Sequence, residues 1–400
     1  MTALQNGPLI QKARVSSIDI MRGIVMVIMA LDHTRDFYHA DALLFDPTDL
    51  TKTSPALFFT RWITHFCAPT FVLLSGVAIR ISEGRKTKKE LSVFLLTRGL
   101  WLILLEIVVM RFSFFFNFYY DFTFFQVIWA IGASMVVLSA LIYLNQSVIV
   151  AIGLILLFGH NAFDGARIEA GQPGYVLWTL LNQAGPIQIS EGHVLLVAYP
   201  VFPWLGIMLT GYGIGKWYLN GFDGAKRKKL LLYSGASAIA MFVILRYLNL
   251  YGDPSLWQPG KNGLFTLMAF LNCTKYPVSL LYTLMTVGPV LIILSAMEKV
   301  NTGTLKPLVV FGRVPLFYYV LHFYLIHLTA LIAYLIVSGK SLGELDFRFS
   351  AGFGGIPAGA GFSLPWVYVA WLSIVIAIYP VCKWYNQYKS THHQWWLSYL

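Results

Sequence analysis

Charge is what this sequence has least of. Asp, Glu, Lys and Arg make up 12% of its 400 residues, about half the share in a soluble domain. With 57% hydrophobic residues and a mean hydropathy of +0.66, this excludes an ordinary water-soluble fold. Cysteine is scarce too. Cys67, Cys273 and Cys382 stand far apart in apolar segments. They lack the spacing of a metal or redox pair and read as small buried hydrophobes, so no metal is predicted. Alternating polar and apolar residues are missing, which excludes a membrane β-barrel. Residues 1–12 contain no hydrophobic signal-peptide core, so the first apolar helix is expected to insert and stay. No P-loop, G-x-S-x-G, H-E-x-x-H or properly flanked G-x-G-x-x-G occurs. There is no internal repeat and no inverted pair of broken helices, which weakens a transporter reading.

What remains is a series of long apolar runs, and the fold expected is an all-α polytopic membrane protein in one domain, residues 1–400. About ten spans are predicted, at 16–38, 56–80, 91–115, 122–144, 146–162, 194–218, 229–248, 277–297, 307–338 and 365–385. The ninth is long enough to tilt or break. Pro200 and Pro203 in the sixth are expected to kink it, and Gly206, Gly211 and Gly215 to let helices approach closely. The net charge of +11 does not point to nucleic acid, because its distribution follows the positive-inside rule. Basic residues cluster at 80–89 and 216–229, whereas acids such as Asp41, Asp46, Asp49, Glu169 and Asp253 crowd the alternate loops. The N- and C-termini are therefore expected to be cytoplasmic. The outer loops, near 39–55, 163–193, 249–276 and 339–364, are long enough to bind an acceptor.

The first span is unusual. It carries Asp19 and Arg22 at one end and Asp32, His33, Arg35, Asp36 and His39 at the other. Ionisable groups inside a bilayer are costly and face a protein interior or a wet cavity. Arg22 and His33 are eleven residues apart, about three turns, on nearly one face and roughly 16 Å apart along the axis. Asp32, Asp36 and His39 share a face as i, i+4 and i+7. His33 fits a general base if a carboxylate orients it. Asp36 at i+3 is the better-placed partner, and Asp32 serves only through tertiary contacts. Arg98 and Glu106 in the third span need partners, and Arg98 suits an anionic phosphate. His322, one turn after Tyr318, is a second catalytic or acceptor-site candidate. His322 and His327 lie about 140° apart around a helix, too far for one shared metal.

The spacing Asp19-x-x-Arg22, followed after ten intervening residues by His33, resembles the first-helix signature of membrane acyltransferases that modify surface polysaccharides. Further blocks resemble a bacterial family related to the catalytic domain of heparan-α-glucosaminide N-acetyltransferase. They are residues 17–23, Tyr199-Pro200-x-x-Pro203-Trp204-x-Gly206, Lys275-Tyr276-Pro277-x-Ser279-Leu280, Phe311-Gly312-Arg313-Val314-Pro315-x-Phe317-Tyr318 and Trp395-Trp396-Leu397-Ser398-Tyr399-Leu400. The resemblance implies an integral membrane enzyme of the bacterial cytoplasmic (inner) membrane. It implies acyl-CoA, in the first place acetyl-CoA, as co-substrate and an extracytoplasmic sugar as acceptor, with the lipid bilayer as surroundings and homo-oligomerisation left open. Arg22, Asp19, Arg98 and Arg313 would then serve the CoA side. His33 is nominated as base by one resemblance and His39 by the other. Two departures stand out: Trp101 where the polysaccharide enzymes have a second arginine, and Leu44 where the glucosaminide enzyme has its histidine. A proton-coupled transporter and a non-catalytic membrane protein are the alternative readings.

Overall fold

The computed structural model describes residues 16–300, 303, 305–392 and 394–399. The chain is mostly helical. Its helices are α1 (Ser16–Tyr38), α2 (Pro55–Thr64), α3 (Cys67–Glu83), α4 (Lys88–Phe115), α5 (Val127–Leu141), α6 (Gln146–Gly159), α7 (Val201–Ile214), α8 (Gly224–Leu248), α9 (Gly263–Leu271), α10 (Leu280–Ala296), α11 (Lys306–Arg313), α12 (Pro315–Ser338) and α13 (Leu364–Thr391). Among the described residues, six stretches are long and apolar enough to cross a membrane: 55–83, 88–115, 146–163, 224–248, 315–338 and 364–391. Helices α5 and α10 are apolar but shorter. Helix α1 is long enough at 23 residues, but its acids and arginines set it apart.

The fold is not purely helical. Strand β1 (Phe122–Phe125) pairs in parallel with β3 (His193–Val197), and β2 (Gly185–Ser190) pairs antiparallel with β3. The expected spans at 122–144 and 194–218 therefore begin as strands and become helical only at Val127 and Val201. Phe122, Thr123, Phe124 and Phe125 are aromatic and β-branched, types that suit a pleated, half-buried surface. Pro200 sits in extended conformation at the N-cap of α7 (φ −65°, ψ 149°) and Pro203 lies in its first turn. A proline there costs no helical hydrogen bond, so the two prolines start the helix instead of kinking it. The ninth span does break. Val314 leaves the helical region (φ −127°, ψ 48°) ahead of Pro315, separating α11 from α12, as the residue before proline commonly does.

Helix α1 is the centre of the bundle and packs on α2, α3, α10, α11, α12 and α13. The contact with α11 is backbone on backbone. A Cβ at Gly312 would lie 1.8 Å from the Asp19 carbonyl oxygen, and one at Gly23 would lie 2.0 Å from that of Leu308. Small residues at such crossings replace the hydrophobic drive that lipid does not supply. Gly211 of α7 meets α3 in the same way, 2.1 Å from the Leu73 carbonyl oxygen. The sequence-based expectation of close packing there holds.

Candidate active site

Three turns of α1 separate two charged clusters. At its C-terminal end, Asp32 is buried and paired with Arg35 of its own helix (3.1 Å) and with Arg61 of α2. Arg35 also pairs with Asp36. His33 Nδ1 stands 3.8 Å from Asp36 Oδ2, so the i+3 carboxylate is the one available to the imidazole. Asp32 is committed to the two arginines. The opposite face of His33 meets α12, with ring centroids 4.0 Å from Phe323 and 5.3 Å from His322. The two histidines separated by most of the chain are thus neighbours. His322 is fully buried. Its Nδ1 donates to the carbonyls of Tyr319 (2.6 Å) and Tyr318 (3.1 Å), and its Nε2 has no hydrogen-bond partner among the described residues.

His39 is elsewhere. It lies just beyond α1 and lines a nearly filled pocket, walled by residues 356–360, that shares Asp36, Ala42, Leu43 and Phe353 with the larger cavity around His33. Its Nδ1 accepts from the Asp41 N–H at 3.3 Å, and burial pushes its imidazole down from the usual range. The helix ends at Tyr38, and backbone pairing of residues 38–40 with Phe362 carries the chain away. The i, i+4, i+7 alignment with Asp32 and Asp36 therefore stops one residue short of His39.

At the N-terminal end of α1, Asp19 is buried between two arginines. Arg22 approaches it to 4.0 Å and Arg313 of α11 to 3.5 Å. Arg22 Nη2 also donates to the Leu74 carbonyl of α3 at 3.1 Å. Glu106 finds its partners in a helix end, not in the charges of α1. A π-turn at Glu106–Met110 turns its buried carboxylate toward the start of α5, where it accepts from the N–H groups of Gln126 (3.3 Å) and Trp129 (3.1 Å). An acidic group satisfies orphan donors there and meets the positive end of the helix dipole.

Three cavities with shared walls follow α1 from one cluster to the other. An inner cavity of about 350 Å³ is lined by Arg22, Ser75, Ser82, Arg98, Tyr319 and the apolar faces of α3, α4 and α5. An outer cavity of about 510 Å³ is lined by Asp32, His33, Arg35, Asp36, Arg61, Lys275 and Tyr276, with Phe114, Phe124 and Phe353. Between them lies a neck of about 30 Å³. Phe71, Val127 and Tyr319 border both neck and inner cavity, while Asp32, His33, Gln126, Tyr199 and Lys275 border both neck and outer cavity. His33 therefore faces the neck and the outer chamber together. Residues 43–47, Lys275, Tyr276 and Phe353 bring three of the long loops onto the outer chamber.

Of the residues nominated from sequence, Asp32, His33 and Asp36 share the outer cavity, with His322 behind His33. Arg22 and Arg98 share the inner one. Asp19 and Arg313 pair behind Arg22, and His39 lines a small neighbouring pocket instead of the outer cavity itself. Sequence reasoning missed Arg61, Gln126, Tyr199, Lys275, Tyr276 and Tyr319. Arg61 carried a legible signal, a cation inside an apolar span opposite an acid-rich helix. The others become neighbours only through tertiary packing.

A family model described as heparan-alpha-glucosaminide N-acetyltransferase, catalytic, matches residues 14–256. The chain belongs to this family. The match takes in more than half of the 400 residues, including both ends of α1, Arg98 and Tyr199. Membership in the heparan-alpha-glucosaminide N-acetyltransferase catalytic family implies acyltransferase activity in an integral membrane protein. No curated protein matches the chain.

Proposed function

We propose that this protein transfers an acyl group, acetyl in the simplest case, from cytosolic acyl-CoA to an amino sugar or glycan on the other side of a bacterial cytoplasmic membrane. In this reading the bundle spans the bilayer about ten times with both termini cytoplasmic. The single observation that carries it is the line of cavities along α1, with two arginines at one end and His33 at the other. Arg22 and Arg98 meet the phosphates of the donor, since guanidinium groups suit phosphate oxygens. The apolar walls and the Ser75 and Ser82 hydroxyls accept the pantetheine arm. His33, oriented by Asp36, takes the proton of the acceptor amine or hydroxyl as it attacks the thioester carbon. The same imidazolium then returns that proton to the departing CoA sulfur. Arg61 and Arg35 keep the Asp32 carboxylate occupied, so His33 is left with a single acid.

The direct test is acetyl transfer from labelled acetyl-CoA to glucosamine by the purified protein, with His33→Ala alongside. Transfer by the wild type and its loss in the variant support the assignment. Full activity in the variant removes His33 from the chemistry.

A further inference from the structure

Tyr319 stands where the inner cavity meets the neck and lines both. It is 3% exposed, and its hydroxyl is buried without a hydrogen-bond partner among the described residues. Leaving such a group unsatisfied is costly, so it calls for a partner that binding would supply. Three other polar groups at the neck are already engaged. Thr64 donates to the Arg61 carbonyl at 2.7 Å, Cys67 to the Val25 carbonyl at 3.4 Å, and Asp32 is held by its arginines. The Tyr319 ring lies 5.6 Å from that of His322, which in turn lies 5.3 Å from that of His33. His322 itself lines none of the three cavities.

We propose that Tyr319 is a catalytic residue whose O–H donates to the thioester carbonyl oxygen as that oxygen becomes negative. The inference rests on the acyltransferase reading above. The acceptor nitrogen forms a bond to the thioester carbon, and the carbonyl π pair moves to oxygen, where the Tyr319 hydroxyl stabilises it. His33 holds the amine proton. The pair on oxygen then returns, the carbon–sulfur bond breaks, and the proton passes from His33 to the CoA thiolate. A preorganised donor of this kind is typically worth 10²–10³ in kcat.

Tyr319→Phe keeps the ring and the backbone carbonyl that holds His322, so packing is retained. With acetyl-CoA and glucosamine, the variant is expected to lose about 10²-fold in kcat while the dissociation constant for CoA stays within twofold. A second measurement uses the dithioester analogue of acetyl-CoA, whose C=S accepts hydrogen bonds poorly. The wild type should slow with it, and Tyr319→Phe should show little further loss. A kcat within twofold of wild type, or an equal dithioester penalty in both proteins, overturns the role of Tyr319 while leaving acyl transfer standing. Absence of transfer by the wild type overturns both.

Discussion

His33 and His322 face one another across the junction of α1 and α12, their ring centroids 5.3 Å apart. Only His33 lines the neck and the outer cavity. Its position predicts an order of effects among the histidines. His33→Ala is expected to reduce kcat by 10²–10⁴-fold, the usual contribution of a positioned base. His322→Ala should act through His33 and cost less, and His39→Ala should change kcat by less than threefold. Steady-state acetyl transfer by the three purified variants checks the order. A larger loss at His39 than at His33 would contradict it.

Arg22 and Arg98 line the inner cavity, far from the reacting atoms. Arg98→Ala is expected to raise KM for acetyl-CoA about tenfold with kcat nearly unchanged, the mark of binding energy that is the same in ground and transition states. Arg22→Ala should raise KM too. It should also lower stability, because Arg22 holds Asp19 and the Leu74 carbonyl. Initial rates against donor concentration, paired with thermal unfolding in detergent, separate the two effects.

The neck is the smallest of the three cavities along α1, at about 30 Å³, and Phe71 borders both it and the inner cavity. Phe71→Ala removes the largest apolar side chain from that wall. The ratio of kcat/KM for butyryl-CoA to that for acetyl-CoA is expected to rise several-fold in this variant, because pocket discrimination among acyl chains amounts to about 1–3 kcal/mol per methylene. An unchanged ratio would mean that the acyl group does not pass Phe71.

Asp32→Ala leaves Arg35 and Arg61 facing each other without their shared carboxylate. Removing one partner from a buried ion network typically costs 3–5 kcal/mol. The variant should therefore unfold at a clearly lower temperature than Asp36→Ala, whose carboxylate is more exposed, at 38% for the side chain. Asp36→Ala in turn should lower kcat more than it lowers stability.

Gly312→Ala sets a methyl group against the Asp19 backbone, with its Cβ 1.8 Å from the carbonyl oxygen. Overpacking at a rigid contact costs about 1–3 kcal/mol or more. Loss of folded protein on size-exclusion chromatography, together with a lower unfolding temperature, is the expected outcome. An unaffected variant would show that α1 and α11 can separate at little cost.

Much of the helical architecture was legible because membrane helices announce themselves as continuous apolar runs. The strand at Phe122–Phe125 was not, since three phenylalanines and a threonine leading into an apolar helix look like its first turn. The break at Val314 was foreshadowed by Pro315 and the excess length of the run. Within the site, the i+3 relation of His33 to Asp36 and the shared face of Arg22 and His33 follow from helix geometry alone. The contact of His33 with His322, the claim of Arg61 on Asp32 and the placement of Lys275 and Tyr319 at the neck do not. They arise where α2, α12 and the loop carrying Lys275 converge on α1, and no local spacing encodes that meeting. His39 shows the opposite case. A helical periodicity nominated it, and the helix ended one residue too soon.

The most direct test of transfer along α1 is made in sealed proteoliposomes, with labelled acetyl-CoA supplied only at the face bearing Arg22 and glucosamine only at the face bearing His33. Labelled N-acetylglucosamine should appear in the glucosamine compartment while free CoA accumulates with the donor, and His33→Ala should abolish both. Glucosamine crossing the membrane unmodified, driven by a proton gradient and indifferent to acetyl-CoA, would contradict the acyltransferase function and favour transport.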